Sequence, residues 1–216
     1  MNWLKKILPL PKISYGITVN NEIDEISKLL DVLLPLVGKS DEVIVLQDIT
    51  NRNQKISDIL DTYGNKIIRL EARLNGDFAS FKNNLISTAT KDYLFQIDAD
   101  EIPKESLIQN LKYFLFKKRK KDVLMVPRIN IVNGITQEHI AKWNWKLNDE
   151  GYINFPDYQD RIFKLNKGIK WENKVHEKLC NYDNKFGLPI ADYSFCLLHI
   201  KDIERQEQQN SFYDTL

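Results

Sequence analysis

Cysteine, glycine and long apolar runs are all scarce in this chain of 216 residues, which has two cysteines and eight glycines. Cys180 and Cys196 are too few for a disulfide scaffold and lack the spacing of a metal-binding motif, so we expect two reduced thiols. The N-terminal MNWLKKILPLPK is too short and too interrupted by proline for a signal peptide, and no other window is long enough for a membrane span. These absences predict a cytoplasmic protein, soluble or peripherally associated with a membrane.

An excess of charge of either sign is also missing. Lys and Arg total 31 and Asp and Glu total 30, so the formal net charge of +1 gives no reason to expect a nucleic-acid partner. The strongest local concentration is five consecutive cations that begin with Lys117 and end with Lys121. Such a run is typical of a solvated helix end that complements the helix dipole. The alternative is a weak contact with an acidic membrane surface.

Strand-like and helix-like patterns alternate through the first half of the chain. Short apolar runs predict strands at residues 13–19, 42–46, 66–70 and 93–97. Apolar residues at helical spacing predict helices at residues 23–34, 56–60 and 77–89. This alternation is typical of an α/β fold with a mainly parallel central sheet flanked by helices, whose ligands bind outside the carboxyl ends of the strands.

The second half of the chain is less regular. A helix is predicted at 105–116, short strands at 122–126, 129–132, 161–165, 168–171 and 193–200, and a polar helix at 201–216. Residues 142–158 between them are aromatic-rich, polar and irregular. A loop of that length inside a compact domain predicts a function, such as that of a lid.

Acidic residues follow the fourth predicted strand. Because side chains alternate along an extended segment, Asp98 and Asp100 point to the same side, whereas Glu101 faces away and is predicted to have a structural capping role. Two carboxylates at the end of a strand suit a hard divalent cation that keeps coordination positions free for substrate phosphates. The alternative is that these acids cap a turn or the helix after Pro103.

Four segments in this order resemble glycosyltransferase family 2. They are TVNNE at 18–22, EVIVLQD at 42–48, DFASFKNNLISTATKDYLFQIDADE at 77–101, and FPDYQDRIF at 155–163 followed by VHE at 175–177. The resemblance covers about residues 13–200 and is closest to the branch that includes glucosyltransferases of bacterial envelope polysaccharide. It implies an inverting, metal-dependent enzyme of the GT-A fold. It also implies one catalytic domain over 1–216, with a nucleotide-binding half at 1–101, an acceptor-binding half at 102–200 and a C-terminal helix at 201–216 that ends abruptly.

The resemblance implies a nucleotide-sugar donor, with UDP-hexose as the first choice, and a divalent cofactor, Mn²⁺ or Mg²⁺. The positions that match donor-binding positions of the family are Thr18, Val19, Glu22, Asp48, Lys82, Asp98 and Ala99. Asp48 would accept from the uracil imide, although the chain reads LQDITN where the family usually has two acids followed by Gly-Ser. Lys82 would face a phosphate, and an exposed helix lysine is the alternative.

Three residues are expected around the metal. The resemblance makes Asp100 its direct ligand and places Asp98 on the ribose side, with a contact to the metal through water. His199 ends an apolar stretch and is a further candidate ligand, since some enzymes of the GT-A fold take one from a C-terminal histidine. A buried, hydrogen-bonded histidine is the alternative.

An inverting displacement also needs a base on the face of the sugar opposite the leaving group. Glu177 in the VHE motif is the predicted base, and Asp157 and Asp160 remain alternatives. The acceptor is expected to be a glycan or a lipid-linked saccharide. Flat faces for its sugar could come from the aromatic residues of the long loop, which are Trp143, Trp145, Tyr152 and Tyr158. Core packing is the alternative for at least two of them.

Two competing classes are considered. A sugar-nucleotide pyrophosphorylase needs a glycine-rich phosphate loop after the first strand, and Gly16 alone is present there, which argues against that class. A non-catalytic module that binds nucleotide or glycan within a larger glycosylation protein remains as the alternative. Metal-dependent release of UDP from a sugar nucleotide would distinguish an enzyme from such a module.

Overall fold

The computed structural model describes residues 9–213, which contain eleven strands and six α-helices. The strands are β1 (Ile13–Val19), β2 (Glu42–Asp48), β3 (Ile68–Ala72), β4 (Tyr93–Asp98), β5 (Glu101–Pro103), β6 (Val123–Asn133), β7 (Ile153–Lys164), β8 (Lys170–Glu172), β9 (Lys178–Cys180), β10 (Lys185–Gly187) and β11 (Leu197–Asp202). The helices are α1 (Ile23–Leu33), α2 (Gln54–Tyr63), α3 (Phe78–Thr88), α4 (Glu105–Lys117), α5 (Gln137–Lys142) and α6 (Ile203–Tyr213).

A nine-stranded sheet runs through the molecule in the order β3-β2-β1-β4-β7-β6-β11-β5, with β10 also paired to β6. Strands β1 to β4 are parallel, β7 is antiparallel to its neighbours β4 and β6, and β11 is parallel to β6. The carboxyl ends of β1, β2, β4, β6 and β11 therefore meet at one edge of the sheet. The predicted α/β fold with a mainly parallel sheet flanked by helices is confirmed.

The core lies on both faces of the sheet. On one face, α1 buries Ile26, Leu29, Leu30 and Leu33, the helical spacing that predicted it, against strand residues such as Ile17. On the other face, α3 packs together with the β8–β9 hairpin, a two-stranded unit separate from the main sheet. A fully buried leucine contributes about 1.5–3 kcal/mol. These two layers fix the positions of the strand ends.

Several predicted boundaries are wrong. Residues 64–66 form a helical turn, so β3 begins at Ile68. The two strands predicted at 122–126 and 129–132 are one bulged strand, β6, because β7 pairs along its length. The long irregular loop is shorter than predicted, since β7 already begins at Ile153. The strand predicted at 193–200 begins at Leu197, and its end takes up the first two residues of the predicted C-terminal helix. Residues 214–216 of that helix and residues 1–8 of the N-terminal segment lie outside the described residues.

The five-cation run lies at the opposite edge of the sheet from the parallel strand ends. Lys117 is the last residue of α4, and the run ends just before β6 begins. Lys117, Arg119 and Lys120 are exposed. Membrane contact through this run stays a prediction. Within residues 9–213 no helix has the length and apolar character to cross a bilayer.

Both cysteines are free, as predicted. Cys180 is half-buried and Cys196 is buried. Burial raises the pKa of the Cys196 thiol to about 11.

Candidate functional site

A cavity of about 1030 Å³ opens at the edge where the parallel strands end. Every residue that the sequence singled out for donor, metal or base lines it: Thr18, Val19, Glu22, Asp48, Lys82, Asp98, Ala99, Asp100, Asp157, Asp160, Glu177 and His199. The fold thus collects at one place residues from both halves of the chain. Their individual roles stay predictions.

Asp98, the last residue of β4, is fixed by groups from three other elements. Thr18 is its register partner across the β1–β4 ladder, and Thr18 Oγ1 donates to Asp98 Oδ1 over 3.0 Å. Arg161 of β7 donates to Oδ2 over 2.5 Å, and Lys82 Nζ of α3 lies 4.0 Å from Oδ1. Burial alone would raise the pKa of Asp98, but the Arg161 guanidinium and then the Lys82 ammonium hold it well below its usual range.

Glu101 lies behind the cavity, fully buried. Its Oε1 accepts from Arg161 over 2.6 Å and from Arg128 over 3.1 Å. Its Oε2 accepts from the backbone N–H of Asp98 over 3.2 Å. A buried carboxylate is costly unless it is paired, and here two guanidinium groups pair with it. Glu101 therefore caps the turn after β4 and orients the arginine that holds Asp98.

Asp100 lies in the turn between β4 and β5, with three nitrogen-bearing side chains around one oxygen. His199 Nε2, Arg205 Nη2 and Lys201 Nζ lie 3.4, 3.5 and 3.6 Å from Asp100 Oδ2. Burial would raise the pKa of Asp100, but the hydrogen bond and charge of His199, and then Lys201, lower it to about 2. Asp100 is thus an anion surrounded by protein cations and an imidazole.

His199 presents one ring nitrogen to the cavity. It is buried in β11, and its Nδ1 lies 2.7 Å from Asn130 Oδ1 on the neighbouring strand β6. Because a carbonyl oxygen accepts, Nδ1 donates to Asn130 in this arrangement, and Nε2 is the ring nitrogen that faces Asp100. His199 is therefore buried and hydrogen-bonded, as its alternative interpretation held, and is also placed beside the predicted metal ligand.

Asp48 ends β2 with one oxygen occupied. Its Oδ1 accepts from the backbone N–H of Thr50 over 2.7 Å, from Thr50 Oγ1 over 2.6 Å and from the backbone N–H of Leu74 over 3.1 Å. Among the residues that the structure describes, none donates to Oδ2. Asp48 lines the cavity, so Oδ2 is the atom that remains for a ligand.

The other residues predicted to bind the nucleotide sugar belong to the segments after β1 and β4. The backbone N–H of Ala99 donates to the carbonyl oxygen of Thr18 over 3.0 Å, which ties the two strand ends together. Glu22 accepts from the backbone N–H groups of Asn20 and Asn21 over 2.8 and 3.1 Å and lies 3.3 Å from Arg205. Glu22 is thus a turn-forming residue whose free surface faces the cavity.

Lys82 and Glu177 form an ion pair on the wall of the cavity. Lys82 is 8% exposed, so the alternative of an exposed helix lysine is wrong. Its Nζ also lies 5.1 Å from the centre of the Trp171 ring. Glu177 pairs through Oε1, and in residues 9–213 no donor is found for its Oε2. This oxygen is free for the role of a proton acceptor.

The β8–β9 hairpin that carries Glu177 is attached to α3. Asn83 donates to the carbonyl oxygen of Trp171 over 3.0 Å and accepts from its backbone N–H over 2.9 Å. The backbone N–H of Phe78 donates to the carbonyl oxygen of Lys174 over 2.9 Å. Lys82 and Asn83 are neighbours on the helix, so the same turn of α3 fixes the hairpin backbone and contacts the predicted base.

The alternative bases, Asp157 and Asp160, have different hydrogen-bond and ion-pair partners from those of Glu177. Both oxygens of Asp157 accept hydrogen bonds, from Arg128 and Asn130 at 2.9 Å each and from Gln159 at 2.7 Å. Burial would raise the pKa of Asp157, but the Arg128 charge together with the hydrogen bonds from Asn130, Arg128 and Gln159 lowers it. Asp160 Oδ2 lies 3.6 Å from Lys185 Nζ. A carboxylate as fully bonded as Asp157 is poorly placed to accept another proton.

The aromatic residues of the long loop have separate surroundings. Trp143 stacks on His139 and lies 4.7 Å from Trp145, measured between ring centres. Tyr152 packs edge-on against Tyr193 at 5.5 Å. Trp145 and Tyr158 line the cavity, and Tyr158 is 37% exposed. Three of the four candidates, Trp143, Trp145 and Tyr152, therefore pack on other aromatic rings, and Trp145 and Tyr158 line the cavity.

Sequence reasoning missed Arg128, Arg161 and Arg205. Each acts through partners that are distant along the chain: Arg161 and Asp98 are separated by 63 positions, and Arg205 and Glu22 by 183. No local pattern marks such a pair. The one available signal was the need for a counter-charge at a cluster of carboxylates.

The sequence profile of one family covers most of the chain. Residues 14–204 match the family described as glycosyl transferase family 2. The chain belongs to glycosyltransferase family 2. Its fold is of the GT-A type, as the resemblance implied.

Relatives of this family 2 chain are longer than it is. The SPbeta prophage-derived glycosyltransferase SunS of Bacillus subtilis (strain 168) is 28% identical over 179 residues, which are 81% of this chain and 36% of SunS. The glycosyltransferase SunS of Bacillus phage SPbeta gives the same values. The chain thus spans about a third of the length of these curated relatives.

Solved structures with the same fold include S. aureus TarS 1–349 in complex with UDP-GlcNAc. It has a TM-score of 0.59 and 17% identity, over 88% of this chain and 58% of that one. TarS 1–349 in complex with UDP has a TM-score of 0.60 and 16% identity, over 88% and 60% of the two chains. At this identity the likeness shows a shared fold.

Proposed function

We propose that this chain transfers a hexose from a UDP-sugar to a hydroxyl of a glycan or lipid-linked saccharide, with inversion at the anomeric carbon and with Mn²⁺ or Mg²⁺ as cofactor. The observation that carries the proposal is the cavity that Asp98, Asp100 and the Lys82–Glu177 ion pair all line, with Lys82 Nζ 4.0 Å from Asp98 Oδ1. Family membership and the nucleotide complexes of TarS support a nucleotide-sugar donor.

The donor would bind across the ends of β1, β2 and β4. Asp48 Oδ2 is available to accept from a base N–H, and Asp98 is ionised, fixed by Thr18 and Arg161, and placed for ribose hydroxyls. A carboxylate whose position is already fixed loses little freedom on binding, which favours affinity. Lys82 is buried beside Asp98 and supplies a positive charge on the α3 side of the cavity.

The residues around Asp100 fit a divalent ion as a partial ligand set. His199 Nε2 and Asp100 Oδ2 lie 3.4 Å apart and both residues line the cavity, so one ion could contact both of them. No group of three or more His, Cys, Asp or Glu side chains that could hold an ion is found in residues 9–213. Asp100 and His199 would therefore hold the ion together with oxygens of the donor. When bound, it would stabilise the negative charge that develops on the leaving diphosphate.

Glu177 would act as the base. Its Oε2 would take the proton of the acceptor hydroxyl while that oxygen bonds to the anomeric carbon and the bond from this carbon to the UDP oxygen breaks. UDP leaves with the electron pair of the broken bond, and attack from the opposite face inverts the configuration. Lys82 keeps Glu177 in place through Oε1, which leaves Oε2 for the proton.

Release of UDP from UDP-glucose, UDP-galactose and UDP-GlcNAc, with Mn²⁺, Mg²⁺ or EDTA, tests the proposal. We expect turnover with at least one donor, its loss in EDTA, and a fall in kcat of about 100-fold or more in Asp100→Asn and Glu177→Gln, as for other groups that act on developing charge. Anomeric configuration of the product, read by NMR, tests inversion.

Matched controls are exposed carboxylates outside the cavity. Asp183→Asn and Glu172→Gln, with side chains 83% and 54% exposed, should retain wild-type turnover. Full activity in Asp100→Asn would contradict the metal assignment, and full activity in Glu177→Gln would contradict the base. UDP binding without turnover of any donor would instead support a non-catalytic nucleotide-binding module.

A further inference from the structure

The ring of Tyr158 has a fixed position on the wall of the cavity. Its hydroxyl donates to the carbonyl oxygen of Leu188 over 2.9 Å. The hydroxyl-bearing end of the ring packs so closely on Gly187 that a Cβ there would lie 3.0 Å from two ring carbons. Such contacts are tighter than most Cβ atoms make, so a side chain at position 187 would push the Tyr158 ring by a few tenths of an ångström. Tyr158 nevertheless keeps 37% of its surface exposed and lines the cavity.

Tyr158 projects to the same face of the sheet as the hairpin that carries the predicted base. In the β6–β7 ladder, Tyr158 lies opposite Pro127 and Asp160 lies opposite Met125. Alternate residues of a strand share a face, so these pairs project to the same side as Val123 of β6. Val123 packs in the core cluster that contains the apolar residues of the β8–β9 hairpin. The ring and the hairpin therefore belong to one side of the cavity.

Two polar side chains, Asp160 and Lys185, project to the same side of the sheet as the ring. Asp160 Oδ2 and Lys185 Nζ lie 3.6 Å apart, and both residues line the cavity with Tyr158. Sites for small polar ligands combine an aromatic surface with a few convergent polar groups that fix orientation. A pyranose ring has this dual character, because its C–H groups pack on an aromatic ring while its hydroxyls form hydrogen bonds.

We propose that Tyr158, with Asp160 and Lys185, forms the subsite for a pyranose ring of the acceptor. This inference rests on the proposed transferase function, since an acceptor sugar has to lie on the side of the cavity that holds the base. It gives Tyr158 a different role from Trp143 and Tyr152, whose rings pack on other aromatic residues.

Saturation-transfer NMR on the full chain with UDP and Mg²⁺ tests the subsite directly. The probes are the methyl pyranosides of glucose, galactose and N-acetylglucosamine, with the peptide Gly-Thr-Gly as the competing class. We expect transfer to the ring protons of at least one pyranoside in the wild type and a reduction of about fivefold in Tyr158→Ala. Tyr158→Phe should retain the signal, because it keeps the ring. Transfer to the peptide and to none of the pyranosides overturns the proposal.

Two further variants keep the test decisive if Tyr158→Ala unfolds. Gly187→Ala keeps the tyrosine but displaces its ring, and should also weaken the pyranoside signal. Tyr113→Ala removes a ring of similar exposure, 36%, on α4 and should leave the pyranoside signal unchanged. Equal signals in the wild type, Tyr158→Ala and Gly187→Ala overturn the subsite.

Hydrolysis of the UDP-sugar by water, without acceptor, separates the subsite from the function on which it rests. We expect Tyr158→Ala to lower transfer to a pyranoside acceptor by a larger factor than it lowers hydrolysis, because the residues predicted to bind the donor lie on other elements. Persistent hydrolysis with unchanged pyranoside binding in Tyr158→Ala rejects the subsite alone. Absence of both hydrolysis and transfer in the wild type rejects the transferase itself.

Discussion

Lys82 joins the donor side of the cavity to the predicted base. Its ammonium group forms an ion pair with Glu177 and lies 4.0 Å from Asp98 Oδ1, in a setting where the residue is almost fully buried. One cation is thus shared between two carboxylates. A donor phosphate that attracts Lys82 would weaken its contact with Glu177. Binding of the donor would then leave the base more available to the acceptor proton.

Replacement of Lys82 should therefore affect turnover more than folding of the sheet. We expect Lys82→Met to lower kcat/KM for UDP release by about 100-fold, because it removes a positive charge from the place where the leaving group develops charge. Lys82→Arg keeps the charge and should restore part of the loss. Steady-state assays and thermal melting of each variant provide the measurement. Lys174→Met, an exposed lysine of the hairpin turn, is the matched control, and equal activity of the two Met variants would contradict the assignment.

At the scale of elements, α3 and the β8–β9 hairpin behave as one unit. Asn83 makes the same pair of hydrogen bonds to Trp171 that a neighbouring strand would make. Trp171 Nε1 in turn donates to Gln96 Oε1 of β4 over 2.9 Å. Within residues 9–213 the hairpin does not pair with the main sheet, so these side-chain contacts help to position the turn that carries Glu177.

Loss of the Asn83 side-chain amide should displace Glu177, the predicted catalytic base, without changing the binding of the nucleotide. We expect Asn83→Ala to lower kcat about tenfold, since small displacements of a catalytic group are costly, and to leave the Kd for UDP within a factor of about two. Asn83→Asp keeps one of the two hydrogen bonds and should give an intermediate kcat. Asn84→Ala is the neighbouring control, because Asn84 bonds only to its own helix. A weakened Kd for UDP with unchanged kcat would contradict a positioning role.

Glu42 ties three elements together at the other edge of the sheet. Ser14 Oγ of β1 and the backbone N–H of Thr90 both donate to its Oε1 over 2.7 Å, and Thr90 Oγ1 donates to its Oε2 over 2.8 Å. Burial would raise the pKa of Glu42, but the hydrogen bonds from Ser14 and Thr90 lower it. The ionised Glu42 carboxylate therefore contributes fully to the free energy of unfolding at pH values above its pKa in the unfolded chain. This contribution is lost as the pH falls through the lower pKa that Glu42 has in the folded state.

Urea unfolding of Glu42→Gln at neutral and acidic pH tests this contribution. At neutral pH we expect the variant to unfold with a free energy about 2 kcal/mol lower than the wild type, the size of hydrogen bonds to a charged group. The difference should shrink below pH about 4, where the wild-type carboxylate also becomes protonated. Glu138→Gln, an exposed residue of α5, should show no difference at either pH. A difference that stays constant with pH would contradict the role of the ionised carboxylate.

At the scale of the whole molecule, the strands that meet at the cavity bring cations as well as acids to it. Lys201 of β11 and Arg205 of α6 lie within 3.6 Å of Asp100 Oδ2, the atom expected to contact the metal. These cations repel a divalent ion, and two protein ligands alone attract it weakly. A diphosphate would add negative charge and further ligands at the same place. Metal and nucleotide are therefore expected to bind cooperatively.

Calorimetric titration of Mn²⁺ with and without saturating UDP measures this coupling. We expect the Kd for Mn²⁺ to be lower with UDP by a factor of about 5–150, and the Kd for UDP to change by the same factor when Mn²⁺ is present. The coupling should disappear in Asp100→Asn and persist in Asp183→Asn. Equal affinity for Mn²⁺ with and without UDP would show that the ion is not shared with the diphosphate.

The sequence predicted the parts of this fold that local periodicity determines. β1, α1 and β4 have the apolar spacing of their elements, so their bounds were found within one or two residues. The start of β7 was missed because Ile153 is a strand residue through its partner Asn130 on β6, which no local pattern reveals.

The candidate site was predicted to a similar degree. The acids after β4 and the VHE motif were identified, since they lie in short segments with a recognisable order. Their counter-charges, Arg161 and Arg128, come from strands far along the chain and were missed. The burial of Lys82 likewise follows from the hairpin that covers it, which the spacing along α3 does not show.

The position of the five-cation run constrains what kind of acceptor a membrane-bound form of this chain could use. The run ends just before β6 begins, and the cavity is lined by β6 residues from Met125 to Val132. Lys185 of the proposed subsite pairs with Val123, the first residue of β6, so the subsite is at the end of the cavity nearer to the run. If the run contacts a bilayer, the subsite is on the side of the cavity that faces the lipid headgroups. A lipid-linked acceptor would then enter the cavity from the membrane side, and a short saccharide would be enough to reach the subsite.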